Sequence, residues 1–76
     1  MILVTCAAGK TGKAIVNALV KSGQDVLAMV RNDSSLESVR AIGVAEAITG
    51  NLAVAEDVLR AADGVDAVYY IAPNMD

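Results

Sequence analysis

Apolar and polar positions along this 76-residue chain fall into blocks, each the length of a strand or a helix. Ile2–Thr5 is a continuous run ended by a loop of small residues, which reads as a strand buried on both faces. From Thr11 to Ser22 the apolar residues Ala14, Ile15, Ala18 and Leu19 recur at helical spacing, and Gly23 stands where the residue just past a helix belongs. Val26–Val30 is a second β-rich run. Ser34 and Glu37 have the spacing of a capping box that opens a short helix, and Gly43 ends it. Val44–Ile48 predicts a third, weaker strand. Ala55–Ala62 predicts a helix closed by Gly64, and Ala67–Ile71, containing Val68, Tyr69 and Tyr70, a fourth strand.

Strands alternating with helices at this pitch pair in parallel, and right-handed crossovers leave an α/β, doubly wound parallel sheet as the economical solution. The fourth strand then returns beside the first, giving the spatial order 3-2-1-4. Ligands of such sheets bind at the switch point, here between strands one and four. The first loop and the Ala72-Pro73-Asn74 end both arrive there. No repeat, low-complexity tract or linker divides residues 1–76, so one domain unit is expected. Helices one and two should cover one face of the sheet and helix three part of the other. The edge of strand four is left open, so self-association or a missing C-terminal portion is expected to cover it.

Composition narrows the chemistry. The chain is 55% hydrophobic without Phe or Trp, which suits close packing of helices on a sheet. One cysteine and no histidine exclude a Cys/His zinc site and any histidine-based triad, and make a reduced, cytoplasmic setting the expectation. A net charge of −3 opposes non-specific nucleic-acid binding, and no apolar run reaches membrane-spanning length. Met1-Ile2-Leu3-Val4 is too short for a signal segment and lacks preceding basic residues.

The loop V-T-C-A-A-G-K-T-G-K, Val4 to Lys13, carries the functional signal. A small-residue loop between a strand and a helix aims free backbone N–H groups and the positive end of the helix dipole at one point, a seat for phosphate. Lys10 and Lys13 sit where that dipole disfavours cations, and a bound polyphosphate reverses the sign. Gly9-Lys10-Thr11 imitates part of a Walker loop, but Val4 holds the position where that loop requires glycine. Arg31 lies 19 residues after Gly12, at the end of the second strand. A carboxylate there accepts from a ribose 2′-OH, whereas a guanidinium pairs with a 2′-phosphate. Arg31 therefore points to NADP, with NAD as the alternative should Asp33 turn inward to take the 2′-OH.

Thr5-Cys6-Ala7-Ala8-Gly9-Lys10-Thr11-Gly12 resembles the T-G-A-T-G-x-x-G loop of NmrA-like, atypical short-chain dehydrogenase/reductase proteins. The resemblance continues through Met29-Val30-Arg31-Asn32, Gly50-Asn51-Leu52 and Val65 to Pro73, and so spans essentially the whole chain. It implies a Rossmann fold in which Gly9, Lys10, Thr11 and Gly12 hold the pyrophosphate and Arg31 the adenosine phosphate. It further implies that Asn51 and Leu52 border the adenine and that Ala72 and Pro73 lie near the nicotinamide-side ribose. Members include quinone reductases, isoflavone-type reductases and NAD(P)-sensing regulators that have lost catalysis.

The chain departs from that pattern at Cys6, where a glycine is usual, at Ala8 in place of threonine, and at Asn51 in place of aspartate. A Cβ at position 6 costs little at negative φ and about 1–2 kcal/mol if the loop needs a left-handed residue there. Such proteins are also several times longer, and the absent part is where they keep Tyr-x-x-x-Lys-type or substitute catalytic groups. Neither Tyr69 nor Tyr70 has a lysine four residues later, so both read as strand residues and no catalytic residue is assigned. Cys6 stands near a helix N-terminus, where a thiol pKa can fall, yet a small buried hydrophobe is the commoner fate of a lone cysteine. Two functional classes follow: the NAD(P)-binding part of an NmrA-like reductase or redox-sensing regulator, or a non-catalytic interaction module that keeps the scaffold without the cofactor.

Overall fold

The computed structural model describes residues 1–72. The elements are β1 (Ile2–Val4), α1 (Lys10–Lys21), β2 (Val26–Val30), a 3-10 turn (Asp33–Ser35) running into α2 (Leu36–Arg40), β3 (Glu46–Thr49), α3 (Ala55–Ala62) and β4 (Ala67–Tyr69). They form one four-stranded sheet in the order β3-β2-β1-β4. Every pairing is parallel: Leu3 lies opposite Leu27 and Val68, and Ala28 opposite Ala47. The expected doubly wound sheet and its 3-2-1-4 order are therefore present.

The apolar blocks become two cores, one on each face. Val4, Val26, Ala28 and Val30 meet Val16 of α1 and Val39 of α2 on one side, with Ile15, Leu19, Val20 and Leu36 packed around them. Leu3, Leu27 and Met29 face Ala61 of α3 on the other, with Ile48, Leu52 and Val65 alongside. All five residues of β2 are buried, because this strand is paired on both edges and covered on both faces. The three residues of β4, at the sheet edge, are all exposed. Its start is tied to the chain terminus, where the Met1 ammonium meets the Asp66 carboxylate at 2.5 Å and holds that carboxyl below its ordinary range.

Helix α1 ends in a Schellman motif: Gln24 N–H donates to Leu19 O and Gly23 N–H to Val20 O, both at 3.0 Å, with Gly23 at φ +82°. The capping box expected of Ser34 and Glu37 does not form. Ser34 lies inside the 3-10 turn, whose entry closes through Ser35 N–H to Asn32 O at 3.0 Å, and neither that turn nor α2 has a side-chain cap. β3 is displaced relative to Val44–Ile48: pairing with β2 carries it to Thr49 opposite Val30, while Val44 packs against the first core. β4 stops at Tyr69 rather than Ile71, because β1, its partner, ends at Val4 where the first loop turns away.

Candidate functional site at the carboxyl ends of the strands

Strand β1 delivers Thr5, the one buried polar residue among the described residues, to the mouth of the sheet. Its Oγ1 accepts from Ile71 N–H at 2.6 Å and lies 3.1 Å from the Ile71 carbonyl, and its N–H donates to Tyr69 O at 3.1 Å. The hydroxyl thus locks the start of the first loop to the exit of β4. Cys6 then takes φ +49°, the left-handed region that a glycine would occupy without strain. That turn sends Ala7 N–H onto Met29 O at 3.1 Å and brings Gly9 N–H onto Cys6 O at 3.0 Å.

Helix α1 starts directly after Gly9, with no side-chain cap and no acidic residue in its first turn. Gly12 is buried against the loop: a Cβ there would lie 2.0 Å from Cys6 O and 2.9 Å from Ala7 Cα. Only a glycine lets the helix approach the loop this closely. Lys10 and Thr11 are exposed and Lys13 is half-buried. The helix therefore presents an unneutralised positive end with two lysines beside it, an arrangement suited to an anion.

Beside this loop lies a cleft of about 380 Å³. One wall is the end of β2, with Met29, Val30 and Arg31. The second is the loop after β3, from Gly50 to Ala53. Cys6 and Tyr70 close the third side. Arg31 is exposed and, among the described residues, takes part in no ion pair. Among the described residues no carboxylate lines the cleft. Asp33 opens the 3-10 turn outside it and is exposed.

The Gly50–Ala53 wall is held by its own hydrogen bonds. Gly50 N–H donates to Val30 O at 2.9 Å, Ala53 N–H to the Asn51 side-chain Oδ1 at 2.8 Å, and Val54 N–H to Asn51 O at 2.9 Å. Asn51 N–H donates to Asp57 at 3.0 Å, and Arg60 Nη2 to the same carboxylate at 2.8 Å. The bond from Asn51 N–H, helped by Arg60, holds the Asp57 carboxyl below its ordinary range.

Of the residues singled out from sequence, Arg31, Asn51 and Leu52 come together in the cleft, while Gly9, Lys10, Thr11 and Gly12 form the adjoining loop and helix start, joined to the cleft through Cys6. Ala72 is half-buried and does not line the cleft, and Pro73 lies outside the described residues. Tyr70, expected in a strand, instead leaves the sheet and lines the cleft, 61% exposed. Its place inside an apolar run carries no signal of that. Ala53 was also missed. Among the described residues no cluster of carboxylates and thiol suits a metal, and no helix is long and apolar enough to cross a membrane.

A cleft of this volume is at the lower end of the roughly 300–1,000 Å³ of ligand sites, room for the adenosine half of a dinucleotide more than the whole. The chain is 42% identical over 69 residues to a 2-alkyl-3-oxoalkanoate reductase of Stenotrophomonas maltophilia, covering 91% of this chain and 20% of the reductase. It superposes with a TM-score of 0.82, at 31% identity, on a protein of Bacillus halodurans assigned as an NAD-dependent epimerase/dehydratase, covering 93% of this chain and 32% of that one. A second solved structure, a probable oxidoreductase of Mycobacterium abscessus, gives 0.70 at 30% identity, covering 88% and 22%. The chain thus spans a fifth to a third of the length of these proteins. A family model described as NAD(P)H-binding matches residues 6–75, from the left-handed cysteine to beyond the exit of β4, and the chain belongs to that NAD(P)H-binding family.

Proposed function

We propose that this chain is the cofactor-binding part of an NADP-dependent reductase of the NmrA-like kind. In this reading the α1 start and Gly9–Gly12 take the pyrophosphate. Arg31 takes the 2′-phosphate of the adenosine, and Asn51 and Leu52 flank the adenine. Ala72 and Pro73 extend toward the nicotinamide-side ribose. The observation that carries it is Arg31: at the end of β2, and among the described residues, it has no ion-pair partner and shares its cleft with no carboxylate. Among the described residues a cofactor with a bare 2′-OH finds no anionic acceptor there, whereas a 2′-phosphate finds a guanidinium. The bound nicotinamide would supply hydride-transfer chemistry. This chain's own part is to bind and orient, since its described residues hold no catalytic constellation. A cytoplasmic setting goes with this reading, and the open β4 edge is assigned to the remainder of a longer chain or to a second copy.

Calorimetric titration of the chain with NADPH and NADH tests the assignment. NADPH should bind more tightly, by about tenfold, the scale of one charge-assisted pair at an exposed site. Arg31→Ala should erase the preference while leaving NADH affinity nearly unchanged. Retention of the preference in that variant would refute the role given to Arg31. The strained backbone at Cys6 favours a second reading, a scaffold that has given up its cofactor. Absence of binding of either nucleotide to the unaltered chain would select it.

A further inference from the structure

We propose that Asp57, which lies outside the cleft, is a positioning residue for the nucleotide: from the first turn of α3 its carboxylate holds the Gly50–Ala53 wall in binding shape. The inference rests on the dinucleotide reading above. Helix α3 begins at Ala55 after Val54, a residue with no side-chain oxygen to cap the helix start or fasten the preceding loop. Asp57 does the fastening from within the helix. One carboxylate oxygen accepts Asn51 N–H at 3.0 Å and the other accepts Arg60 Nη2 at 2.8 Å, so the carboxylate is itself oriented by the next turn.

The consequence falls on Asn51. With its N–H on Asp57, its side-chain oxygen on Ala53 N–H and its carbonyl on Val54 N–H, both flanking peptide planes are set. Gly50 N–H on Val30 O anchors the other end of the wall to β2, next to Arg31. The Asp57 side chain is 24% exposed, and the bond to Asn51 lies at the surface. The bond from Asn51 N–H lowers the carboxyl pKa, as expected of a hydrogen bond that favours the ionised form.

Releasing the wall leaves the binding shape as one member of an ensemble, and the apparent Kd rises by the inverse of its population. The test uses the 76-residue chain, with NADPH and NADH affinity by calorimetry and amide exchange at Asn51 and Ala53 by NMR. In Asp57→Ala, Asn51 should lose its exchange protection and both nucleotides should bind more weakly by the same factor, about tenfold if a tenth of the ensemble stays competent. The NADPH-to-NADH ratio should not move, which separates this effect from that of Arg31. Asp57→Asn, which keeps an oxygen acceptor without the charge, should recover most of both readouts. A residue that merely supplies charge to the helix start would not be rescued in this way. Unchanged affinity in Asp57→Ala, or an Asn51 amide that stays protected, overturns the proposal while leaving the dinucleotide reading intact. Failure of the unaltered chain to bind either nucleotide overturns both.

Discussion

Replacing Gly12 by alanine sets two well-understood effects against each other. Gly12 lies inside α1, where alanine is worth about 1 kcal/mol more than glycine in helix propensity. Propensity alone therefore makes Gly12→Ala stabilising. The structure demands the opposite. The added Cβ would lie 2.0 Å from Cys6 O, 2.8 Å from Cys6 C and 2.9 Å from Ala7 Cα, against the roughly 3.3 Å at which carbon and oxygen normally meet. All three obstructing atoms are backbone, and hydrogen bonds hold them: Gly9 N–H on Cys6 O and Ala7 N–H on Met29 O. Relief requires α1 to lift off β1 or the loop to break. Overpacking of this kind costs about 1–3 kcal/mol, and immovable backbone places Gly12 at the upper end. After subtracting the propensity gain, Gly12→Ala should be less stable by about 2 kcal/mol, a large share of the roughly 4–11 kcal/mol expected of a domain this size. Urea denaturation followed by circular dichroism reads this as a lower midpoint at unchanged slope. Ala14→Gly, on the exposed side of the same helix, calibrates propensity and should cost about 1 kcal/mol. A Gly12→Ala chain as stable as the parent, or more so, would refute the close approach of helix and loop.

Two further substitutions probe the same corner. Thr5→Val preserves shape but deprives Ile71 N–H and C=O of their buried partner, and should cost about 1–3 kcal/mol by urea denaturation. A neutral result would mean that the hydroxyl does not lock the loop to β4. At position 6 glycine should be more stable than alanine by about 0.5–1 kcal/mol, because relief of the left-handed strain outweighs glycine's backbone entropy. The reverse order, usual at negative φ, would contradict the conformation assigned to Cys6.

The fold was legible where the sequence marks an element clearly, by its apolar run or by its terminator. Val26–Val30 reads as a two-sided buried strand and is one, and Gly23 ends α1 as its position indicates. Elements marked less clearly were misplaced. The Ser34–Glu37 spacing matched a capping box, but a 3-10 turn absorbed Ser34. β3 shifted by one or two residues and β4 ended two residues early because partner strands, not local sequence, set where pairing begins and stops. For the site, Arg31 came from motif spacing, which fixes distance along the chain between the ends of adjacent strands, and Asn51 and Leu52 came from the family resemblance; the cleft brings the three together. Tyr70 was not found, since the same apolar pattern describes a residue inside a strand and one just leaving it. Neither was the Asp57 bond to Asn51, a contact over six residues that exists only because α3 folds back on the loop.

The most direct test of the account is an amide chemical-shift map of the chain titrated with NADPH. Saturable shifts should concentrate in residues 7–13, at Arg31 and across Gly50–Ala53, the α1 start and the adjoining cleft. Absence of saturable shifts, or shifts confined to the outer faces of α1 and α2, would contradict dinucleotide binding at the carboxyl ends of these strands.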